Sequence, residues 1–330
     1  MKQSTLRKIV SAVLLLVSVI IFSFLSDSFL TWRNINSIFR EVSVVGLLSL
    51  GVSFVIIGGG IDLSTGAVLG LSAMITSKFV TETLLPIPVI VLIALAVGLL
   101  AGLINGLLVI KLGLSELIAT FATMFVYRGL VYILAYRERG RLITKTVTDG
   151  QFLSIGGKIG GIYYMSIVWA ALIAVGYIVL RKTVFGTYIY AIGTNRKSSQ
   201  LSGINFDRIK LATFMISGTL AALAGVFLLA WQGSAGLNSG SGMEFQAIAA
   251  VAVGGIVLSG GRGDTIGVAI GSLFMIVIVN GIYKFGLPTQ VQTIAYGAVI
   301  IIMSVFDSIY MRLSKKKLVV SKKVSAGQEG

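Results

Sequence analysis

The sequence predicts an all-α integral membrane protein with about ten transmembrane helices, some of them broken or re-entrant. Of its 330 residues, 56% are hydrophobic and only 12% are charged, whereas about 25% of the residues in an ordinary soluble domain are charged. Apolar runs recur along the chain at the length that crosses a bilayer. Two of these runs end in clusters of glycine, a residue type that lets a helix stop or turn.

The first apolar run, 9–25, follows Lys2, Arg7 and Lys8. No small-residue cleavage site follows it, so the run is predicted to be a retained span rather than a signal peptide. With about 20 residues for each crossing, further spans are predicted at 42–58, 65–80, 89–110, 116–135, 162–180, 211–230, 245–258, 266–284 and 288–309. Spans 42–58 and 245–258 are short, so about eight or nine full crossings with a re-entrant segment is an alternative.

The predicted membrane domain covers residues 1–313, and the basic segment 314–330 is predicted to be a disordered cytoplasmic tail. Lys and Arg concentrate in the cytoplasmic loops of membrane proteins, and most of the 27 in this chain fall on one side of the predicted topology. Both termini are therefore predicted to be cytoplasmic. The loop 136–161 carries five basic residues on the other side, an exception that long loops often make.

The residue types that are missing exclude several kinds of site. The chain has no Cys and no His, so it cannot form a disulfide, a Cys/His zinc site or a Ser-His-Asp catalytic triad. It also lacks the pattern G-x-x-x-x-G-K-[ST] that binds nucleotide phosphates. The formal net charge of +15 is spread over membrane loops without a nucleic-acid-binding motif. We therefore predict no catalytic residue, no metal site and no nucleic-acid partner.

The segment GGGIDLSTGAVLGLSAM, 58–74, places three glycines and an acid within an apolar region. Irregular backbone at membrane depth is tolerated only inside protein or beside a water-filled cavity, so Gly59, Gly60 and Asp62 are predicted to face a cavity. The Asp62 carboxylate can also accept hydrogen bonds from the N–H groups of Ser64 or Thr65 and cap the helix that follows. A structural cap and a direct substrate contact both remain open for Asp62.

A second cluster, SGGRGDTIGVAIGSLFM at 259–275, matches the first at several glycines. Both clusters follow a short apolar segment and begin a new one, which indicates an internal duplication. Polar and glycine residues in or beside the spans form the candidate lining of a translocation pathway, although each could equally serve packing. These residues are Gly59, Gly60, Asp62, Ser64, Asn105, Gln246 and Asn280.

Two further features lie within the spans. Gly98, Gly102 and Gly106 recur every four residues and predict a helix face that packs closely against a neighbour. Arg128 lies inside span 116–135. We expect this residue to reach the outer interface or to pair with an acid rather than to bind substrate.

The longest cytoplasmic loop in this topology is 181–210. Its middle predicts a short helix with Thr194 or Asn195 as N-cap, 196–202 as body and Gly203 as the left-handed stop. A helix of about two turns is marginal alone, but it becomes a rigid knob when two membrane helices hold it. A solvated basic loop is the alternative.

Several segments occur in one order along the chain: GGGIDLSTGAVLGLSAM, AIGTNRKSSQLSGINFDRIK, SGTLAALAGVF and FQAIAAVAVGGIVLSGGRGDTIGVAIGSL, followed by NG. Together they resemble the permease subunits of sugar-type ABC importers, the family of ribose, xylose and galactose permeases. The resemblance implies a channel of two permease protomers, identical or related, in the bacterial plasma membrane. A substrate-binding protein would feed it from outside. A partner ATPase would use ATP and Mg, so this chain would bind no cofactor.

The resemblance also implies a role for the loop. In that family, the segment that matches 191–207 docks on the ATPase. Arg196 and Lys197 stand where relatives often carry proline and an acid, which leaves the docking contacts open. The implied coupling residues are Gly193, Asn195, Arg196, Ser198, Ser199, Leu201 and Gly203.

The expected function is translocation of a small neutral sugar or sugar-like solute by alternating access. An ion-coupled secondary transporter is the alternative, because such carriers also use broken helices and internal repeats. The acids in or beside the spans are scattered and make a poor proton relay; they are Asp62, Glu116, Glu244 and Asp307.

Overall fold

The computed structural model of the chain describes residues 2–135, 144–286, 288, 290–303 and 305, with side chains from residue 8 onward. The predicted tail 314–330 lies outside the described residues. The described part is almost entirely helical. Its helices are α1 Lys2–Leu25, α2 Trp32–Ile57, α3 Thr65–Glu82, α4 Ile87–Ile110, α5 Glu116–Ala135, α6 Gly150–Leu153, α7 Tyr164–Lys182, α8 Val184–Thr194, α9 Arg196–Leu201, α10 Phe206–Gln232, α11 Met243–Val253, α12 Thr265–Lys284 and α13 Gln290–Met303.

Four two-residue strands lie between the helices. Strand β1 (Lys145–Thr146) pairs antiparallel with β4 (Ser234–Ala235), and β2 (Lys158–Ile159) pairs antiparallel with β3 (Ile162–Tyr163). A short 3-10 turn, Ser154–Gly156, precedes β2. These pieces connect the ends of α3, α7 and α10 on one face of the helix bundle.

Seven described helices are long and apolar enough to cross a membrane: α1, α2, α4, α5, α7, α10 and α12. The prediction of an all-α membrane protein is therefore confirmed, whereas the count of about ten crossings stays a prediction. The remaining predicted spans correspond to α3, α11 and α13. Helix α3 has 18 residues and is mostly buried against other helices, so it can carry several Ser and Thr residues that a lipid-facing helix would not.

The prediction for α2 is wrong at its start. The predicted span 42–58 is short, but α2 runs from Trp32 to Ile57 over 26 residues, which is long enough to cross the membrane. This length favours a full crossing over the re-entrant alternative. Its first turns contain polar residues that lower the local hydropathy, so this part of the helix does not appear as an apolar run in the sequence. The structure gives these side chains partners: Asn34 hydrogen-bonds Asn280 at 2.9 Å, and the Arg40 guanidinium lies 4.3 Å from the centre of the Trp231 ring.

Helix α10 forms the centre of the bundle and packs against α2, α3 and α4. The contact with α4 depends on the predicted glycine face. A Cβ added at Gly98 would overlap the Gly218 carbonyl oxygen, and one at Gly102 would overlap the Phe214 carbonyl oxygen. The two backbones can approach this closely only because these positions lack side chains. The prediction of close packing for this face is confirmed.

Two irregular segments interrupt the helices inside the bundle. The first break is 58–64, between α2 and α3, and the second break is 234–242, between α10 and α11. Helix α11 has 11 residues, which span about 16 Å, so it cannot cross a hydrocarbon core of about 30 Å alone. The first turn of α3 meets the second break. A Cβ at Gly66 would lie 2.5 Å from the Gly240 carbonyl oxygen.

Candidate functional site

The Asp62 carboxylate lies at the centre of a buried network in the first break. Asp62 is 1% exposed. Its Oδ1 accepts hydrogen bonds from the Ser64 N–H at 3.0 Å and from the Ser64 hydroxyl at 2.7 Å. Its Oδ2 accepts a hydrogen bond from the Ser217 hydroxyl of α10 at 2.8 Å. Both carboxylate oxygens therefore have partners within the protein.

The network continues from Ser64 into α4 and α5. The Asn105 amide of α4 donates to the Ser64 hydroxyl oxygen at 2.7 Å, and the Thr123 hydroxyl of α5 donates to the Asn105 side-chain oxygen at 2.6 Å. The Leu63 N–H donates to the Thr120 hydroxyl at 3.1 Å. Hydrogen bonds thus fix the first break to three helices at once, α4, α5 and α10.

This geometry bears on the predicted roles of Asp62. The predicted hydrogen bond from the Ser64 N–H is confirmed, although α3 begins at Thr65 and Ser64 is the residue at its N-cap position. Asp62 is enclosed by protein and lines none of the three cavities described below. The carboxylate therefore joins Ser64 to Ser217 of α10, whereas a cap on α3 and a direct contact with substrate both stay predictions.

The structure brings some of the predicted pathway residues together and separates others. Asp62, Ser64 and Asn105 share the network of the first break. Gln246 is buried on α11, next to the second break. Asn280 lies at a distance, paired with Asn34 of α2 by two hydrogen bonds between their side-chain amides. A pathway role for any of these residues remains a prediction.

The predicted short helix in the loop 181–210 is present as α9. The Asn195 side chain caps it by accepting a hydrogen bond from the Ser198 N–H at 3.1 Å, and Gly203 adopts the left-handed conformation with φ +80° after its end. Leu201 is 91% exposed, and Arg196 and Ser198 are exposed as well, while Ser199 is buried.

A second helix in this loop was missed. Helix α8, Val184–Thr194, precedes α9 and is capped by Thr183, whose hydroxyl accepts from the Gly186 N–H at 3.2 Å. Its β-branched and aromatic residues and its glycines have low helix propensity. The sequence signal that could have predicted the start of α8 is Thr183, a residue type favoured at helix N-caps. The loop is therefore a pair of helices held between α7 and α10.

The loop 181–210 touches both glycine clusters at one point, which we call the glycine junction: Gly59, Gly193 and Gly260. A Cβ added at Gly260 would lie 2.8 Å from both the Gly193 carbonyl oxygen and the Gly59 Cα atom. The neighbouring Gly261 N–H donates to the Ile57 carbonyl oxygen at 2.8 Å. Three separate backbones, from α8 and from the loops before α3 and α12, therefore meet without intervening side chains.

A buried ion pair missed by the sequence reasoning lies beside this junction. Lys210, in the second turn of α10, is fully buried; its Nζ atom lies 2.9 Å from Glu116 Oε1 of α5 and donates to the Gly58 carbonyl oxygen at 3.2 Å. One turn earlier in α10, the Arg196 guanidinium lies over the Phe206 ring, 3.9 Å from the ring centre, in a cation–π contact. Contacts therefore run from α9 through the start of α10 to the first break and to α5.

Asp264 anchors the start of α12. It is 1% exposed, and it forms ion pairs with Arg181 at 3.0 Å and with Lys8, while the Gly267 N–H donates to Oδ1 at 3.0 Å. Burial raises the pKa of this carboxyl, but the hydrogen bonds from Lys8, Gly267 and Arg181 outweigh burial and leave the pKa below its ordinary value. Its contribution to stability is therefore present at neutral pH and lost as the pH falls through that lowered value.

Three helices beside the second break, α3, α5 and α11, carry polar atoms without hydrogen-bond partners. Glu244 Oε1 accepts from the Gly242 N–H at 3.2 Å, and Arg128 Nη1 donates to the Ser239 carbonyl oxygen at 2.6 Å. The hydrogen-bond partner of Arg128 is thus a backbone carbonyl, and its pairing with an acid stays a prediction. In the described part of the chain, however, Glu244 Oε2, Arg128 Nη2 and Thr65 Oγ1 have no hydrogen-bond partner. Buried polar atoms without partners are uncommon in folded proteins.

Comparison with known proteins places these features in a family. The family described as branched-chain amino acid transport system / permease component matches residues 34–304. The chain is 39% identical to the ribose import permease protein of Bacillus subtilis (strain 168), covering 89% of this chain and 90% of that protein.

Two further relatives extend this similarity. The ribose import permease protein of Haemophilus influenzae is 37% identical, over 93% of this chain and 94% of the relative. The fructose import permease protein of Rhizobium meliloti is 31% identical, over 90% of this chain and 84% of the relative. No solved structure shows significant similarity to the chain.

Proposed function

The chain belongs to the permease components of ABC sugar importers, and we propose that it forms a membrane channel with a second permease protomer, identical or related. A separate ATPase subunit hydrolyses ATP with Mg for this channel. A substrate-binding protein delivers the solute from outside. The chain itself carries no nucleotide-binding P-loop, which supports a division of labour between subunits.

The glycine junction is the observation that carries this proposal. Helix α8 meets the loops before α3 and before α12 at Gly59, Gly193 and Gly260, with backbone in contact with backbone. A displacement of the α8–α9 pair therefore reaches both loops directly. Packed contacts of this kind transmit small shifts because they do not deform continuously.

The mechanism follows from this contact. ATP binding closes the two ATPase subunits, draws the α9 helices of the two protomers together and switches the channel between outward and inward access. The Lys210–Glu116 ion pair passes the movement of α10 to α5. The exposed residues of α9, Arg196, Ser198 and Leu201, dock on the ATPase.

This proposal fixes an orientation. The α8–α9 pair and the loop 254–264 are cytoplasmic, and so are both termini. The chain then crosses the bacterial plasma membrane ten times, with α10 as one crossing and the second break together with α11 as the next, which returns the chain to the cytoplasmic side. The excess of Lys and Arg between 181 and 210 supports this direction, because positive residues concentrate on the cytoplasmic side.

The transported solute is a small neutral sugar. The relatives named above are permeases for ribose and fructose import, so they favour a monosaccharide. They give no support to the ion-coupled secondary transporter. The scattered acids of the chain, Asp62, Glu116 and Glu244, already have structural partners or neighbours, which is a further argument against a proton relay.

The coupling role can be tested at Gly203. A Gly203→Val variant places a β-branched residue at φ +80°, which costs about 1–2 kcal/mol and distorts the end of α9. We expect the assembled importer to hydrolyse ATP while sugar uptake in proteoliposomes falls at least about fivefold. Membrane insertion and subunit assembly should persist, because a Cβ at Gly203 meets no other atom within 4 Å.

Gly113 provides a matched control. It also has a positive φ, +67°, and open space around its Cβ position, but it lies in the loop between α4 and α5. The Gly113→Val variant should therefore keep uptake coupled to hydrolysis. Unchanged uptake in Gly203→Val, or equal loss in both variants, would contradict the coupling role.

A further inference from the structure

Three cavities of the described part differ in the chemistry of their walls. One of about 600 Å³ is lined by several charged residues, among them Arg33, Arg40, Glu41, Lys158 and Lys284. A second, of about 470 Å³, is almost wholly apolar and lies between α2, α4, α7 and α10. A third, also of about 470 Å³, lies between the start of α11 and α13 and has uncharged walls that combine polar groups with a larger apolar area. We call this third one the α11–α13 cavity.

The walls of the α11–α13 cavity match a neutral polyhydroxylated molecule. Amide groups that donate and accept hydrogen bonds stand beside hydroxyl groups that do the same. An aromatic ring, Phe245, is 44% exposed and can cover the C–H face of a sugar ring. No lining residue carries a charge. The polar lining residues are Ser241, Gln290, Gln292, Thr293 and Tyr296.

The position of the cavity also fits a solute in transit. Gly242, with φ +80°, ends the second break, and α11 begins directly after it. The opposite end of α11 leads to the loop that reaches the glycine junction. The cavity thus lies at the other end of α11 from that loop, about 16 Å along the helix, at the helix interruption, where transporters commonly place substrate.

We propose that the α11–α13 cavity is a binding site for a monosaccharide on its way from the outer face to the second break. This inference rests on the proposed function for its direction and substrate class. Gln290, Gln292, Thr293 and Tyr296 bind the sugar hydroxyls, and Phe245 packs against the ring. The cavity of about 470 Å³ has room for a monosaccharide together with bound water, so the sugar enters without displacing the helices.

Gly297 allows the site to be filled without disturbing the fold. It lines the cavity within α13, and a Cβ added there meets no atom within 4 Å. A Gly297→Leu variant should occupy the cavity while it favours the helix, since Gly is the weaker helix former by about 1 kcal/mol. The matched control is Ala298→Leu, an exposed position of the same helix that does not line the cavity.

The first experiment measures uptake. The complete importer, with its ATPase and its binding protein, is reconstituted in proteoliposomes and supplied with ribose and with fructose. Gly297→Leu should lower uptake of the transported sugar at least tenfold while assembly and basal ATP hydrolysis stay within twofold of the unchanged protein. Ala298→Leu should stay within twofold in all three measurements. Normal uptake by Gly297→Leu would overturn the site.

The second experiment measures occupancy without transport. Because the chain contains no Cys, Gln292→Cys provides a single thiol in the cavity, and Ala298→Cys provides one beside it. In the purified importer, saturating ribose or fructose should slow maleimide labelling of Gln292→Cys at least threefold and leave Ala298→Cys unchanged. If neither sugar protects Gln292→Cys, the site is refuted. If a sugar protects Gln292→Cys but the unchanged importer does not transport that sugar, the proposed function fails and the site stands.

Discussion

The two breaks of the bundle differ in how their polar groups are satisfied. Each interrupts helices with a short irregular segment, and each brings an acid into the interior. In the first break, both oxygens of Asp62 accept hydrogen bonds from Ser64 and Ser217. Beside the second break, in the first turn of α11, Glu244 Oε1 accepts from the Gly242 N–H, and Glu244 Oε2 has no hydrogen-bond partner in the described residues.

This difference indicates which of the two breaks is fixed and which can move. An unsatisfied buried polar atom costs about 1–3 kcal/mol, so such atoms persist where another conformation or a bound molecule supplies the partner. The first break is held to α4, α5 and α10 by Asn105, Thr120 and Ser217. We infer that the first break is a fixed support and that the second break, beside the α11–α13 cavity, rearranges during transport.

The largest expected effect on stability comes from removing the Asp62 carboxylate of the first break. Asp62→Ala leaves three donors, two from Ser64 and one from Ser217, without their acceptor. At about 1–3 kcal/mol for each buried donor, partly offset by the removal of a buried charge, we expect a loss of about 3 kcal/mol of stability. Thermal unfolding in detergent should show a lower midpoint and a lower yield of assembled importer.

Asp62→Asn is the control for this prediction. It keeps one side-chain oxygen for the Ser64 donors, and the Ser217 hydroxyl can rotate to accept from the new amide. Its loss should therefore be about 1 kcal/mol. If Asp62→Ala unfolds at the same temperature as the unchanged protein, the first break is not held by this network.

A smaller effect is expected where the two breaks meet. A Cβ at Gly66 would overlap the Glu244 carboxylate and lie 2.5 Å from the Gly240 carbonyl oxygen. Gly66→Ala must therefore push α3 away from the second break, at a cost of about 1–3 kcal/mol. The shift should lower transport more than ATP hydrolysis, because it separates the fixed side from the moving side.

The comparison variant is Gly129→Ala on α5, where a Cβ meets nothing within 4 Å. This substitution should be neutral or slightly stabilising, since Ala favours a helix by about 1 kcal/mol. Melting temperatures and uptake rates of the two variants measure the contact between the breaks. If Gly66→Ala has the same melting temperature as Gly129→Ala, the contact between α3 and the second break is loose.

Much of the architecture follows from local sequence. Most predicted spans lie within a few residues of the observed helices, because apolar runs in lipid leave few alternatives. The Asn195 cap and the Gly203 stop of α9 were predictable for a similar reason, since each depends on neighbouring residues alone. The start of α2 was not, because Asn34 and Arg40 obtain partners from distant parts of the chain, Asn280 and Trp231.

The candidate sites were predicted less completely than the helices. Asp62 and Ser64 could be linked because they are two residues apart, but Ser217 is 155 residues away in the chain. The same is true of Lys210, whose partner Gly58 is 152 residues distant. The meeting of Gly59, Gly193 and Gly260 gave no local signal beyond the glycines themselves. Contacts between distant segments are set by helix packing, which a single sequence does not specify.

The smallest effect on stability is expected at Glu244, the acid beside the second break. Glu244→Gln keeps an oxygen for the Gly242 N–H and replaces Oε2, which has no partner in the described residues, by an amide. We expect a change of less than about 1 kcal/mol in stability, because no hydrogen bond is lost.

Uptake should nevertheless change at least about twofold in Glu244→Gln. When the second break rearranges, Glu244 Oε2 would accept a hydrogen bond from a new donor, and the amide nitrogen that replaces this oxygen cannot accept a hydrogen bond. Melting temperature, ATP hydrolysis and sugar uptake of the reconstituted importer give the three readings. A large drop in melting temperature would mean that the second break is as fixed as the first. Unchanged uptake would mean that Glu244 gains no partner during transport, and the distinction between the two breaks would then be one of packing alone.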